Sequence, residues 1–321
     1  MEWAGSGHLV RPHDPALHAT SGLLKVQVLS GRFVPDGSVN GSLSLPGEAT
    51  SRCATVPHRV PGMSEVTAEA RFRSWHLPWK ERICEEVRPF SHGVVLRSPR
   101  HPEFWEYNCI RLDRPMDAGQ MIAAADRELT GCAHRFAEWM IPIPDSVVGE
   151  LRERGWMANP LVFLLHDGSA LPPARSELVE VDYDVVRELR DLWHREDFGE
   201  HTETGTFHAQ AREVAELAEV RVLAAMEEGR PIGFAQVETH DGGSEVSQVF
   251  VHPERRGAGL GRALTARAIG LGADAAPDVW ICADRDGRPR RLYERLGFRV
   301  VVETGAAILP PNTRSVSGRL D

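Results

Sequence analysis

The sequence predicts an α/β (α+β) protein made of two consecutive units, and three observations carry that expectation. Short apolar runs of strand length alternate with stretches of helical period through most of the chain. Two tight-turn signals, Glu228-Gly229-Arg230-Pro231 and Asp241-Gly242-Gly243, separate apolar runs and predict antiparallel hairpins. A glycine-rich stretch from Gly257 to Gly261 joins an apolar strand to a helix, which predicts an anion-binding turn.

The elements follow in order. Residues 1–62 are rich in Gly, Pro, Ser and His, with one apolar run from Leu23 to Leu29. They predict a disordered extension to about residue 70, or a chain whose translation starts at Met63. The first unit, 71–170, opens with a short helix over Glu81–Val87 and strands at Gly93–Arg97 and Asn108–Leu112. Asp117 and Gln120 start a helix like a capping box. Ala118, Ile122, Ala125, Leu129, Cys132 and Phe136 then form one apolar face. A second helix covers Ser146–Arg154 and stops at Gly155. Leu161–Leu165 is an apolar strand, and Asp167–Pro173 reads as the linker.

The second unit, 177–321, begins with a strand at Leu178–Val181. A helix follows with Val185, Leu189, Leu192 and Trp193 on one face, then another over Ala209–Ala218. Strands are expected at Val220–Met226, Ile232–Glu238 and Glu245–Val251, a helix over Gly259–Leu271 and a strand at Val279–Ala283. A short helix over Pro289–Leu296 ends at Gly297, and strands at Phe298–Val302 and Ala306–Leu309 close the unit.

Composition narrows the function. The chain has 321 residues, 42% of them hydrophobic, enough for two packed cores. A net charge of -9 and a pI near 5.9 disfavour general binding to nucleic acid or anionic membrane. No apolar run has spanning length, and the first residues lack a secretory pattern. The five cysteines are scattered without a Cys-x-x-Cys pair, so no zinc site is expected and a reduced cytoplasm is the simplest compartment.

The segment Val249-Phe250-Val251-His252-Pro253-Glu254-Arg255-Arg256-Gly257-Ala258-Gly259-Leu260-Gly261-Arg262 carries the chemistry. Glycines let backbone N–H groups converge, and the helix N-terminus adds its positive end, so a pyrophosphate is the expected ligand. A dinucleotide loop needs a third glycine where Arg262 stands, and a P-loop needs Gly-Lys-Ser/Thr. The pattern resembles the signature of GNAT acetyltransferases, Gln/Arg-x-x-Gly-x-Gly/Ala, carried by Arg256, Gly259 and Gly261. A second match, Leu292-Tyr293-Glu294-Arg295-Leu296-Gly297-Phe298, resembles the family's Leu-Tyr-x-x-Leu-Gly-Phe.

The resemblance, over Glu177–Leu309, implies a twisted, mostly antiparallel mixed sheet flanked by helices, with central strands that splay apart around acetyl-CoA as co-substrate and no metal. It implies that the backbone of Val249, Phe250 and Val251 pairs with the pantetheine arm. It likewise implies that the amides of Gly257, Ala258, Gly259, Leu260 and Gly261 cradle the pyrophosphate, with Arg256 and Arg262 adding charge. Tyr293 would be the general acid, with a packing tyrosine as the alternative. Asp286 replaces an asparagine common in the family and either contacts the cofactor arm or caps the next helix. Glu245 is a candidate base, and Glu238 or a water chain are others; an exposed strand-end carboxylate is the plain alternative. The acceptor pocket is expected among Trp193, His194, Asp197, Phe198, Phe207 and His208. Arg285, Arg288, Arg290 and Arg291 are either a site for the cofactor's 3′-phosphate or a solvated run.

The first half resembles a degenerate copy of the same fold. Its end, Leu151-Arg152-Glu153-Arg154-Gly155-Trp156, parallels the second family match, yet it has no Arg-x-x-Gly-x-Gly loop. It is expected to bind no cofactor and to cover apolar surface or shape the acceptor site. The whole then implies an N-acetyltransferase acting on a small-molecule amine, with no nucleic-acid or membrane partner and room for a homo-oligomer. The alternatives are a cofactor-binding module without turnover, a peptide N-terminal acetyltransferase, and a tandem enzyme of the mycothiol synthase type.

Overall fold

The computed structural model describes residues 66–173, 175, 177–198 and 204–311. The expectation of a disordered extension, with its alternative start at Met63, falls on residues 1–65 and lies outside them. Residues 68–70 already belong to a helix, so the first unit begins ahead of residue 71.

That helix, α1 (Ala68–Ile83), is capped by the Thr67 side chain and contains Pro78. It replaces the short helix expected over Glu81–Val87. Its buried face is Phe72, Trp75, His76, Trp79, Lys80 and Ile83. Two of these are polar, so the face has little hydrophobic contrast to mark it in sequence. Strands β1 (Glu86–Phe90), β2 (Gly93–Arg97) and β3 (Cys109–Leu112) form an antiparallel meander. Helix α2 (Ala118–Glu128) is capped by Asp117 as expected, but it ends eight residues before Phe136. Gly131, at φ 89°, turns the chain, and β4 (Arg135–Trp139) runs parallel to β3. The apolar spacing that carried the expected helix to Phe136 spans two elements. Helix α3 (Asp145–Glu153) and strand β5 (Met157–His166) complete the half.

The second half repeats this order. After β6 (Leu178–Val181), helix α4 (Arg187–Phe198) and helix α5 (Gly205–Ala215) come the meander β7 (Glu219–Glu227), β8 (Arg230–His240) and β9 (Gly243–Val251). Both hairpin turns have paired positive φ angles, at Glu228-Gly229 and Asp241-Gly242, which match the right-handed twist of the strands. Helix α6 (Leu260–Ala275) crosses over to β10 (Asp278–Asp284), which runs parallel to β9; α7 (Arg288–Glu294) leads to β11 (Phe298–Leu309). Three antiparallel strands, a helix, a parallel strand, a helix and a final strand therefore occur twice.

The two copies share one eleven-stranded sheet, ordered β1-β2-β3-β4-β11-β5-β10-β9-β8-β7-β6. Each copy's last strand lies in the other copy. β11 pairs with β4, from Gly305 opposite Trp139 to Leu309 opposite Arg135. β5 pairs with β10, and the two exchanged strands pair with each other along most of their length. The two closing strands expected over 298–309 are thus one. Gly305 marks no turn between them: a Cβ there would come within 2.4 Å of Ile143.

Helix α1 lies across the joint. Arg71 pairs with Asp278 of β10 at 2.8 Å, Arg73 donates to the Met140 carbonyl at 3.0 Å, and Trp75 donates from Nε1 to the His240 carbonyl at 3.0 Å. Trp75 also packs so closely on the β8–β9 turn that a Cβ on Gly243 would sit 2.6 Å from its Nε1. Phe72 contacts Phe163 and Trp280, with centroids 4.4 and 5.4 Å apart. One aromatic cluster therefore draws on both halves.

Because β10 is flanked on one side by β5, residues 177–321 produced alone expose that edge and the apolar side chains under α1. They are expected to give a chain without dispersed amide signals in a ¹H–¹⁵N NMR spectrum, while residues 66–311 give a folded one. A well-dispersed spectrum for the shorter chain would contradict the shared-core account.

Candidate active site

The site begins where β9 and β10 part. Their parallel ladder covers Gly243 opposite Asp278, Ser244 opposite Val279 and Glu245 opposite Trp280, and goes no further. β9 continues to Val251, still paired with β8, and β10 continues to Asp284, paired with β5. A bulge at Ser247, between the Gln236–Gln248 and Val237–Val246 pairs, bends β9 at this point. A notch results, and the backbone of Val249, Phe250 and Val251 edges it. The equivalent pair in the first half has no notch. β3 stays paired with β4 from Ile110 to Leu112, its last residue, and Met140 N–H closes onto the Leu112 carbonyl at 2.8 Å.

The loop beyond Val251 has a turn over Pro253–Arg255 and then two left-handed glycines, Gly257 at φ 89° and Gly259 at φ 76°. Nothing lies within 4 Å of where a Cβ would stand on either. Gly259 is the N-cap of α6 and supplies no capping side chain. Ala258 is exposed and Arg262 projects from the first turn into solvent, while Leu260 and Gly261 are buried against the sheet. The loop therefore offers open space, first-turn N–H groups and the helix's positive end.

Arg256 is held elsewhere. Its guanidinium forms a fork with Glu196 of α4, at 2.6 and 2.7 Å, donates from Nε to the Val251 carbonyl at 3.0 Å, and lies 5.4 Å from the Phe250 ring. It fastens the end of β9 to α4. Asp286 is exposed beside Arg285 at 3.3 Å, and Gly287, not Asp286, is the N-cap of α7. Arg285 bridges to Asp145 of α3 at 2.7 Å, and Arg290 pairs with Glu294 at 2.8 Å. Much of the expected basic run is thus engaged with acids.

Tyr293 on α7 is fully buried, and its hydroxyl has no hydrogen-bond partner among the described residues. Burial, with Cys282 and Asp284 nearby, holds its pKa well above the ordinary value, so the oxygen keeps its proton. Burial also raises Asp284 to about 6, with a contribution from Asp286. The Cys282 thiol is pushed well above 9 by burial and then by Glu245, so it is no nucleophile near neutral pH.

Glu245 is buried at 2% exposure, not an exposed strand-end group. With Cys282 it lines a cavity of about 30 Å³ on the α1 side of the sheet, whose other walls include Lys80, Glu106, Glu138 and Thr304. Lys80 pairs with Glu138, and both side chains are under 7% exposed. Burial pulls the Lys80 pKa down, but Glu138 and its neighbours outweigh that and raise it to about 12. A buried pair of this kind stabilises little over an apolar filling, because desolvation offsets the attraction. The sequence did hold a signal for it: Glu138 interrupts the run Phe136-Ala137-Glu138-Trp139-Met140. A second buried network was equally unforeseen. Arg190 donates to Gln236 at 2.7 Å, Gln236 to Glu238 at 3.0 Å, and the guanidinium lies 4.2 Å from the Tyr183 ring.

The residues expected to form an acceptor pocket pack instead. His194 stacks on Phe207 at 4.5 Å, Phe198 meets Trp105 edge-on at 4.8 Å, and Phe104 of the first half stacks on Phe207 at 5.4 Å. His208 pairs with Asp191 at 2.6 Å. This cluster joins the halves a second time.

Residues 218–300 match the family described as an acetyltransferase (GNAT) domain. This part of the chain is a GNAT domain. Its span contains the meander, the notch, the glycine loop and Tyr293. No curated protein matches the sequence. Among solved structures, a functionally unknown conserved protein from Staphylococcus epidermidis is similar at a TM-score of 0.52 and 14% identity, covering 71% of this chain and 94% of its own. A putative GNAT acetyltransferase from Novosphingobium aromaticivorans has a TM-score of 0.47 and 18% identity over 73% and 93%. A GCN5-related N-acetyltransferase from Kribbella flavida has 0.46 and 18% over 76% and 96%. The first of these likenesses is one of fold. No helix among the described residues is long and apolar enough to cross a membrane, and none of their His, Cys, Asp and Glu side chains form a group of three that could hold a metal ion.

Burial lowers the pKa of both His194 and His134 to about 4. The folded chain keeps them neutral while the unfolded chain protonates them below about 6.5, so each removes stability as pH falls from 6.5 through 4. Asp284, raised when folded, works in the opposite sense over the same range. Replacing His194 by Phe is therefore expected to reduce the acid-side loss by about 1 kcal/mol per pH unit in urea unfolding between pH 6 and 5. An unchanged slope would show that His194 is protonated in the fold.

Proposed function

We propose that the protein is an N-acetyltransferase that takes acetyl groups from acetyl-CoA and passes them to a small-molecule amine. The observation that carries this is the notch between β9 and β10 facing the glycine loop at the start of α6. Acetyl-CoA fits these residues on three counts: a strand edge not paired with β10, a cradle with no side chain in it, and the unpartnered Tyr293 hydroxyl near Cys282 and Asp284 of β10.

When bound, acetyl-CoA supplies an activated acetyl thioester. The backbone of Val249 to Val251 would align its pantetheine arm as an added strand would align. The amides of Gly257, Ala258, Gly259, Leu260 and Gly261 would hold the pyrophosphate, with Arg262 as the nearest exposed charge. Arg256 acts by fixing Val251 and α4, which keeps the strand edge in place. Tyr293 holds a proton at Oη that the notch can receive. Glu245, at the last paired position of β9, accepts the proton of the incoming amine, directly or through water in the adjoining cavity. With Cys282 protonated, no thiolate is available to carry the acyl group, which supports direct transfer in a ternary complex. The first half, with β3 paired to its end and no glycine loop, binds no cofactor in this proposal.

Calorimetric titration of acetyl-CoA into the full chain tests the assignment. Saturable binding is expected, and it should fall at least tenfold when Gly257 and Gly259 are both replaced by Val. Tyr293→Phe should leave that affinity within threefold and lower kcat by about 10²-fold, the lower range for a general acid. Binding that survives the glycine replacements would move the cofactor elsewhere, and a Tyr293→Phe enzyme of full kcat would leave Tyr293 a packing residue.

A further inference from the structure

The cavity between the halves has features that the cofactor does not use. It adjoins the notch at Glu245 and Cys282, where β9 and β10 separate. Its other walls come from α1, from the turn over Trp105–Tyr107, from β4 and from β11. Among the described residues two of its buried acceptor atoms lack a partner, Oε1 of Glu138 and Oγ1 of Thr304. Glu138 is 5% exposed and Thr304 3%. Lys80 occupies the other oxygen of Glu138, so that carboxylate is half used. Three carboxylates, Glu106, Glu138 and Glu245, line the cavity against the single ammonium of Lys80.

Buried acceptors without donors are costly to a fold and call for N–H groups from elsewhere. An alkylammonium brings three such donors and a positive charge. Resting on the acetyl-CoA reading, we propose that this cavity is the subsite for the acceptor's ammonium group. Glu138 from the first half and Thr304 from the exchanged strand β11 are its recognition residues. The degenerate copy thus selects the substrate of the intact one. A volume of about 30 Å³ holds an ammonium and its first carbon, and little more. The acceptor class is therefore a primary amine with an unbranched carbon next to nitrogen. Secondary amines, with a carbon on each side of nitrogen, and peptide N-termini, whose α-carbon is branched, are expected to exceed this volume. The indole N–H groups of Trp79 and Trp139 on the same walls also lack partners among the described residues, so a water fits beside the ammonium or in its place.

Calorimetric titration of the full chain with n-butylammonium chloride, n-butanol and diethylammonium chloride decides the matter. Acetyl-CoA is titrated in parallel. Saturable binding of n-butylammonium alone is expected, weakened at least tenfold in Glu138→Gln and in Thr304→Val, with acetyl-CoA affinity within threefold of the unaltered chain in both. Glu138→Gln leaves Lys80 without its full counter-charge and risks unfolding. Thr304→Val keeps that pair and is the deciding variant. Binding unchanged in Thr304→Val overturns the proposal. So does equal binding of n-butanol, or no binding of n-butylammonium at all, which would mean a cavity for water only. If n-butylammonium binds as expected and acetyl-CoA does not, the cofactor reading fails and the ammonium site stands.

Discussion

The hydrogen-bonded ladder between β5 and β11 holds the molecule together. It runs from Phe298 opposite His166 to Ile308 opposite Met157, and each of its strands is the outermost contribution of one copy. Without it β11 and β5 would each end a separate sheet with an unpaired edge. With it the two cores become continuous, and α1 can lie across them and bury Phe72, Trp75 and Trp79 against residues from both copies. The notch depends on the same ladder indirectly. β10 can diverge from β9 only because β5 holds its far side from Leu161 to Leu165.

Much of this was legible in the sequence, and the unevenness has physical causes. The meander, the glycine loop and the crossover helix of the second half are local features, written in turn residues, period and capping at short range. Gly242 in the expected hairpin turn and Gly257 and Gly259 in the glycine loop have left-handed φ angles. What sequence reasoning missed is set by distant contacts. Phe136 belongs to a strand and not a helix because β3 and β11 flank it. The two strands expected at Phe298–Val302 and Ala306–Leu309 are one, and Gly305 between them is a point of close approach to Ile143. The aromatic residues expected around an acceptor pocket are consumed at the joint, because Phe104 and Trp105 of the first half reach them.

The polar interior follows from the duplication as well. In the second half, the sheet face opposite α6 carries Gln236, Glu238, Glu245 and Gln248, and these need partners. Some come from α4, through Arg190, and others line a space that the first half closes with Lys80 and Glu138. β3 stays paired with β4 to its end, so the first half has no notch, and its Lys80 and Glu138 face the cavity that Glu245 lines.

The exchanged strands also bear on how the chain is made. Strand β5 leaves the ribosome roughly 130 residues before β11 begins, an interval of about 6–26 s at ~5–20 residues per second. Over that time an apolar strand that ends up buried on both edges has neither neighbour. Contacts this distant along the chain form slowly, and waiting strand edges invite pairing with other chains. The first half therefore keeps an open edge on β5 until β11, the last strand of the fold, is made and closes it.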